Sequence, residues 1–311
     1  MTATDLSRPD PVRPRPASPF SALTDRVDPR LSAALGSFCI SLSSVFIKVS
    51  GTSGSTSAFW RCLCSLPLLA GLAWWERRRT GAARRRVVLP LLAGVGLGLD
   101  FVLWGEAIPR IGAGIATVLL AVQVIIVPAL AFVFFGERPS RRFFFAVPVL
   151  LGGIVLAGGF AGTGSGHDPV FGAVAALLAG AAYAGYLLLI RRCSEPGTQV
   201  HSLLLATVSA GAVALALGIP SHTLDLDPGW PAFGWLVALA VIGQCIGWLL
   251  IAAALPRMSA TTGATLMLLQ PIGAVLLGIG LLGETPAVLQ LVGCAAVVTA
   301  VCFASARPAR R

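Results

Sequence analysis

Ten apolar runs follow one another along the chain, at about 32–50, 57–75, 87–107, 111–135, 143–160, 170–190, 201–219, 232–254, 261–282 and 287–304. An α-helix needs roughly 20 residues to cross a hydrocarbon core about 30 Å thick. A backbone placed in lipid finds no water for its N–H and C=O groups, so only helices and closed barrels can span. The ten-residue alternation of barrel strands is absent from these runs. The expected fold class is an all-α polytopic membrane protein with ten transmembrane helices. A water-soluble fold fails on surface: charged residues make up 12 % of the chain, against about 25 % in soluble domains.

The net charge of +10 does not point to nucleic acid, because the arginines sit in tails and in loops between apolar runs. Lys48 is the only lysine. Positive charge in short loops marks the cytoplasmic side. Loop 76–86 holds six arginines, and every second loop after it is basic as well. With the C-terminal tail, the arginine count is fifteen against one for the alternate loops. Both termini are therefore expected in the cytoplasm, and the chain in the inner membrane. Residues 1–30 carry six prolines, five arginines and four aspartates. They read as a disordered tail and lack the apolar core of a signal peptide. Residues 306–311 form a short basic tail.

The chain contains one stretch twice. Pro109–Pro139 and Pro256–Pro286 align without gaps at an offset of 147 residues. Pro109/Pro256, Arg110/Arg257, Gln123/Gln270, Gly136/Gly283 and Glu137/Glu284 coincide, and Gly96/Gly243 and Ala107/Ala254 extend the register. An offset of nearly half the chain implies duplication of a large unit, here 31–160 and 168–305. Each unit holds five spans, an odd number, so the second must enter the membrane the other way up. That is the inverted-topology repeat of secondary transporters. The Gly-Glu-x-Pro punctuation has a local role. Gly136 and Gly283 can end a helix in the left-handed conformation, and Glu137 and Glu284 then sit at the positive end of the next helix.

Within lipid the informative residues are the polar ones. Gln123 and Gln270 lie near the middle of spans 4 and 9, each within a turn of a proline that frees a backbone carbonyl. They serve either as interhelical hydrogen-bonding groups or as walls of a cavity, and their paired midplane placement favours the cavity. A second cluster is charged. By helical rise, Arg61 lies about 6 Å and Asp100 about 10 Å inside the outer ends of their spans. Opposite charges at similar depth should pair, either as a structural ion pair or to bind a substrate carboxylate and amine. Lys48 reaches the interface or meets Glu106. Ser37, Ser41, Ser44 and Lys48 share one helical face. Trp104, Tyr183 and Tyr186 are candidate cavity aromatics.

Catalytic signatures are missing. The chain has no HExxH, no His/Cys cluster with ligand spacing and no nucleotide-binding domain, so no enzyme activity, metal or cofactor is expected. The cysteines lie mostly in apolar runs and read as small hydrophobes.

The doubled A-(I/L)-P-R … Q … G-E-x-P segments, the basic loop 76–86 and the outer-end Arg61 resemble the drug/metabolite transporter superfamily. The chain looks like two tandem EamA domains covering about residues 32–305. The resemblance implies a basket of ten helices around a cavity lined by spans 1, 3, 4, 6, 8 and 9, with Gln123 and Gln270 facing it and spans 5 and 10 peripheral. Family members often carry an acidic or aromatic residue near the middle of span 9; Gln270 departs from that and counts against proton coupling at this position. The expected function is alternating-access transport of small polar metabolites, as an exporter of amino acids or their relatives, coupled to protons or another ion. The alternatives are a lipophilic-drug efflux protein and a non-transporting receptor or assembly subunit. The expected partners are a small-molecule substrate and the bilayer, with the chain a monomer or homodimer.

Overall fold

A computed structural model describes residues 27–80, 87–136, 141–157, 168–193, 198–254, 257–258, 262 and 266–305. The tails, loop 81–86, Glu137 and His167 lie outside them. The described residues form helices and connecting turns, with no strand among them. Seven helices are long and apolar enough to cross a membrane, and three shorter apolar helices accompany them.

The helices are α1 (Pro29–Ser50), α2 (Gly54–Thr80), α3 (Val88–Ile111), α4 (Ala113–Leu119) and α5 (Gln123–Phe135), the last two joined by a 3-10 turn, Leu120–Val122. Then come α6 (Arg141–Ala157), α7 (Pro169–Cys193), α8 (Gln199–Gly218) and α9 (Ala232–Ala238). A nine-residue π-helical stretch, Leu239–Gly247, leads into α10 (Trp248–Ala254), and α11 (Leu269–Leu282) and α12 (Val288–Ser305) close the chain.

The sequence signals act where they stand. Asp28 caps α1, its carboxylate accepting the Arg30 N–H at 2.8 Å, and Pro29 fills the first position, where no N–H is needed. Gly51, Gly136 and Gly283 end their helices with φ of 64°, 67° and 63°, the left-handed conformation that lacks a Cβ penalty in glycine.

Glu284 departs from the sequence reading. It does lie at a positive helix end, but that of α4: its carboxylate accepts the Ala113 N–H at 2.7 Å. The start of α12 is served by Gln290, whose side-chain oxygen accepts the Ala287 N–H at 2.9 Å.

Packing follows the small residues. α3 lies against both α7 and α8, α2 against α8, α6 against α12, and α1 against α11 and the π stretch. Gly94 and Gly98 let α3 approach the α8 backbone: a Cβ on Gly98 would stand 2.8 Å from the Ala210 carbonyl oxygen, and one on Gly94 would overlap that of Ala206. With no hydrophobic drive between helices in lipid, such close approach carries much of the association. Replacing Gly94 by alanine should therefore force α3 and α8 apart and cost about 1–3 kcal/mol. A thermal melt of the detergent-purified protein should show the loss, and a conserved midpoint would refute this packing account.

Candidate substrate site

Helix ends set the depth of each polar group. α3 continues through Pro109 to Ile111, so Asp100 lies about 16 Å from that end at 1.5 Å per residue, not the 10 Å read from the apolar run. Arg61 lies about 10 Å past the start of α2 at Gly54, by the same rise. Gln123 and Gln244 lie about 15 and 18 Å from the helix starts at Ala113 and Ala232, and Ser41 about 14 Å from the end of α1 at Ser50. With a hydrocarbon core about 30 Å thick, four of these five groups sit near one plane halfway across, with Arg61 above them.

Both repeated glutamines stand at joints. Gln123 is the first residue of α5, after the 3-10 turn, and Gln270 is the second of α11. Pro271 does not open a continuous helix as its sequence context suggests. It lies in the first turn of α11, which starts after a turn at Leu268. Gln123 and Gln270 are both half-buried. Gln123 Oε1 is shielded from solvent and has no hydrogen-bond partner. Gln270 Nε2 reaches only the Met267 sulfur, at 3.5 Å.

The serine face of α1 holds the joint ahead of α11. Ser37 Oγ donates to the Leu266 carbonyl at 3.1 Å, and Ser41 Oγ lies 3.0 Å from that of Gln270. Ser41 Oγ is also 2.9 Å from its own Ser37 carbonyl, so one proton serves several acceptors. Ser44 bonds back to the Ser41 carbonyl at 2.8 Å. The stripe thus bonds protein rather than lining an open path along its whole length.

Arg61 is buried, at 3 % exposure. Its partner is not the expected Asp100. Arg61 Nε donates to Gln244 Oε1 at 2.9 Å, and Gln244 Nε2 lies 3.5 Å from Thr207 Oγ1. The guanidinium carbon stands 3.8 Å from the Phe101 ring centroid, within range of a cation–π attraction. Asp100, at 4 % exposure, accepts no hydrogen bond among the described residues, and its Oδ1 is sealed from solvent. One turn along, Trp104 Nε1 is likewise buried without an acceptor. Tyr183 stacks on Tyr186 at 5.6 Å and approaches Trp248 at 6.3 Å. Its electrostatic neighbours include Asp100 and Arg61. Lys48 stands apart in the last turn of α1, where its Nζ lies 3.3 Å from the Ile108 and Pro109 carbonyls and caps α3. Glu106 pairs instead with Arg110, at 2.7 Å.

Sequence reading missed Gln244 and Thr207. The signal was present for Gln244, a polar residue in the middle of an apolar run like Gln123 and Gln270. No groups of three or more metal-ligating side chains occur among the described residues.

The EamA-like transporter family profile matches residues 30–159 and 170–306. The chain belongs to this family. As an EamA-like transporter it is a multi-pass membrane protein with a small-molecule substrate. The threonine/homoserine exporter RhtA of Escherichia coli (strain K12) is 30 % identical over 266 residues, covering 84 % of each chain. The uncharacterized transporter YwfM of Bacillus subtilis (strain 168) is 26 % identical over 245 residues, 77 % of this chain and 80 % of its own. A solved crystal structure, 17 % identical, covers 93 % of this chain at a TM-score of 0.57 and shares its fold.

The serine contacts generate a test. Ser41→Ala removes the hydroxyl nearest the Gln270 carbonyl and should lower stability by about 1–3 kcal/mol. Ser44→Ala, whose hydroxyl bonds only its own helix, should cost less. Paired melting curves of the two purified variants check the order, and equal losses would discount the link between α1 and α11.

Proposed function

We propose that this protein is an inner-membrane secondary exporter of small amino acids such as threonine or homoserine, working by alternating access. The observation that carries the reading is the midplane polar set: an arginine with its terminal amino groups uncommitted, an unpartnered carboxylate, and two glutamines at helix joints. A zwitterionic amino acid suits that set. Its carboxylate would meet the free Arg61 N–H groups, its ammonium Asp100, and its polar ends Gln123 and Gln270. Tyr183 and Trp104 would wall the site, and Ser41 would fix the α11 joint. The exporter RhtA, similar over most of both chains, supports the direction and the substrate class.

The packing partners support ten spans in two inverted five-helix halves. If span n corresponds to span n+5, a contact of spans 3 and 6 implies one of 8 and 1, and a contact of 3 and 7 implies one of 8 and 2. Both implied contacts occur: the π stretch packs on α1 and on α2. Spans 2 with 7, 4 with 9 and 5 with 10 are their own mates and also touch. Glu284 beside Ala113 puts the loops after spans 3 and 9 at one end of the bundle, as inversion requires. The halves are 31–160 and 168–305, flanked by cytoplasmic tails 1–30 and 306–311. Such halves rock around a fixed midplane site, and no enzymatic step is involved.

Cells that overproduce the protein should resist toxic threonine analogues and release threonine to the medium faster than controls. Gln270→Leu should abolish that release while leaving the protein in the membrane at the wild-type level. Resistance to lipophilic cations alone would favour drug efflux instead. Undiminished release by Gln270→Leu would remove the glutamine from the site.

A further inference from the structure

The described acidic side chains divide unequally. Asp28, Glu76, Glu106, Asp168, Asp225 and Glu284 each accept a backbone N–H. Asp227 is exposed. Asp100 is left, buried near the midplane with no hydrogen bond among the described residues. An ionised carboxylate without a donor at that depth is expensive by several kcal/mol. The neutral acid escapes that charge penalty and is the cheaper form in this setting.

The nearest cation explains how the charged form is accommodated. Arg61 and Asp100 are close enough to interact electrostatically, yet the guanidinium is held by Nε on the neutral Gln244. Its Nη groups make no hydrogen bond among the described residues. It rests over Phe101, the residue next to Asp100 on α3, so a change of side-chain rotamer suffices to change partners.

The other titratable groups leave Arg61 as the cation that answers Asp100. From α2 comes Cys62, from α7 Tyr183 and Tyr186, and from the π stretch Cys245. α8 carries only His201, at its start far along the helix, and α4 carries none. On α1, Lys48 is bound to the last carbonyls of α3, Cys39 is titratable as well, and Arg30 is exposed at the opposite end of the helix.

We infer that Arg61 is a two-position switch and Asp100 the proton carrier it serves. With Asp100 protonated, the guanidinium rests on Gln244. When the carboxyl releases its proton, the guanidinium leaves Gln244 and pairs with the carboxylate or, with substrate bound, with the substrate's carboxylate while Asp100 takes the ammonium. One proton enters Asp100 from outside and leaves to the cytoplasm for each amino acid carried outward. Gln244 is the positioning residue that makes the neutral state possible. The direction of flux rests on the exporter reading; the titration of Asp100 does not.

Infrared difference spectra of the full-length purified protein, taken across a pH titration without substrate, should show a protonated buried carboxyl band. Asp100→Asn should remove it, and Asp100→Glu should restore a shifted one. A wild-type spectrum without that band overturns the switch, whatever is transported.

In proteoliposomes loaded with threonine, an exterior more acid by one pH unit should raise the attainable threonine gradient about tenfold, the equivalent of about 1.4 kcal/mol. Gln244→Leu leaves the guanidinium no resting partner but the carboxylate, so the pH midpoint of efflux should move to lower pH by about one unit or more. An unmoved midpoint overturns Gln244 as the resting partner. Threonine efflux indifferent to the imposed gradient overturns the coupling while sparing the exporter reading. A titrating band without any threonine flux supports the carrier and sinks the exporter reading.

Discussion

A carbonyl in lipid must find its donor inside the protein, and the joint ahead of α11 depends on that rule. Where the apolar run breaks at Leu268, carbonyls on both sides of the joint face α1. Two hydroxyls from α1 take them up at 3.0 and 3.1 Å. Unsatisfied backbone at such depth costs several kcal/mol per group, so α1 and α11 are bound together as long as the joint stays open. The same helix packs its other small residues on the π stretch, where Gly243 leaves room for Ser43 and Gly247 for Ile40. α1 is thus held between the two irregular segments of the second half.

Helix starts obey the same rule by another route. Glu76, near the C-terminal end of α2, accepts the N–H groups of Val200 and His201 at 3.2 and 3.0 Å and so caps α8. Glu106 of α3 caps α2 through Gly54 at 2.8 Å, and Glu284 caps α4. Each carboxylate neutralises the positive end of a helix other than its own. This ties helices together across the bundle and keeps the charge at the ends, where hydration is near. Asp100 breaks the pattern in both respects: it is buried within its helix and caps no other.

The family, the helical class and the punctuation glycines were legible because they rest on local or periodic signals: apolar length, a fixed offset and a left-handed φ. Depth was legible only in part. The apolar run of span 3 stops short of Pro109, but a proline near a helix C-terminus still permits the helix to run on to Ile111, which sets Asp100 about one turn deeper. Partner choice was illegible. Pairing Arg61 with Asp100 follows from charge, whereas the observed partner Gln244 is neutral and sits in a π-helical stretch whose register shift no propensity announces. Glu284 was correctly placed at a helix start but given to its chain neighbour, because sequence order does not say which helix end lies across the gap.

The duplication supplies the scaffold twice and the chemistry once. Gly96 and Gly243 occupy the same repeat position and do the same work: Gly96 lets α3 meet α7, and Gly243 lets the π stretch meet α1. One residue on, the copies part, with Leu97 in the first half and Gln244 in the second. At the fourth residue Asp100 faces Gly247, and Gly247 is close-packed on Gly36 and Ile40 of α1, where a carboxylate has no room. The acid therefore belongs to one half, and the amide that holds its arginine to the other. Asp100 and Gln244 have no counterpart across the repeat, so the two halves share their packing and differ in their buried polarity.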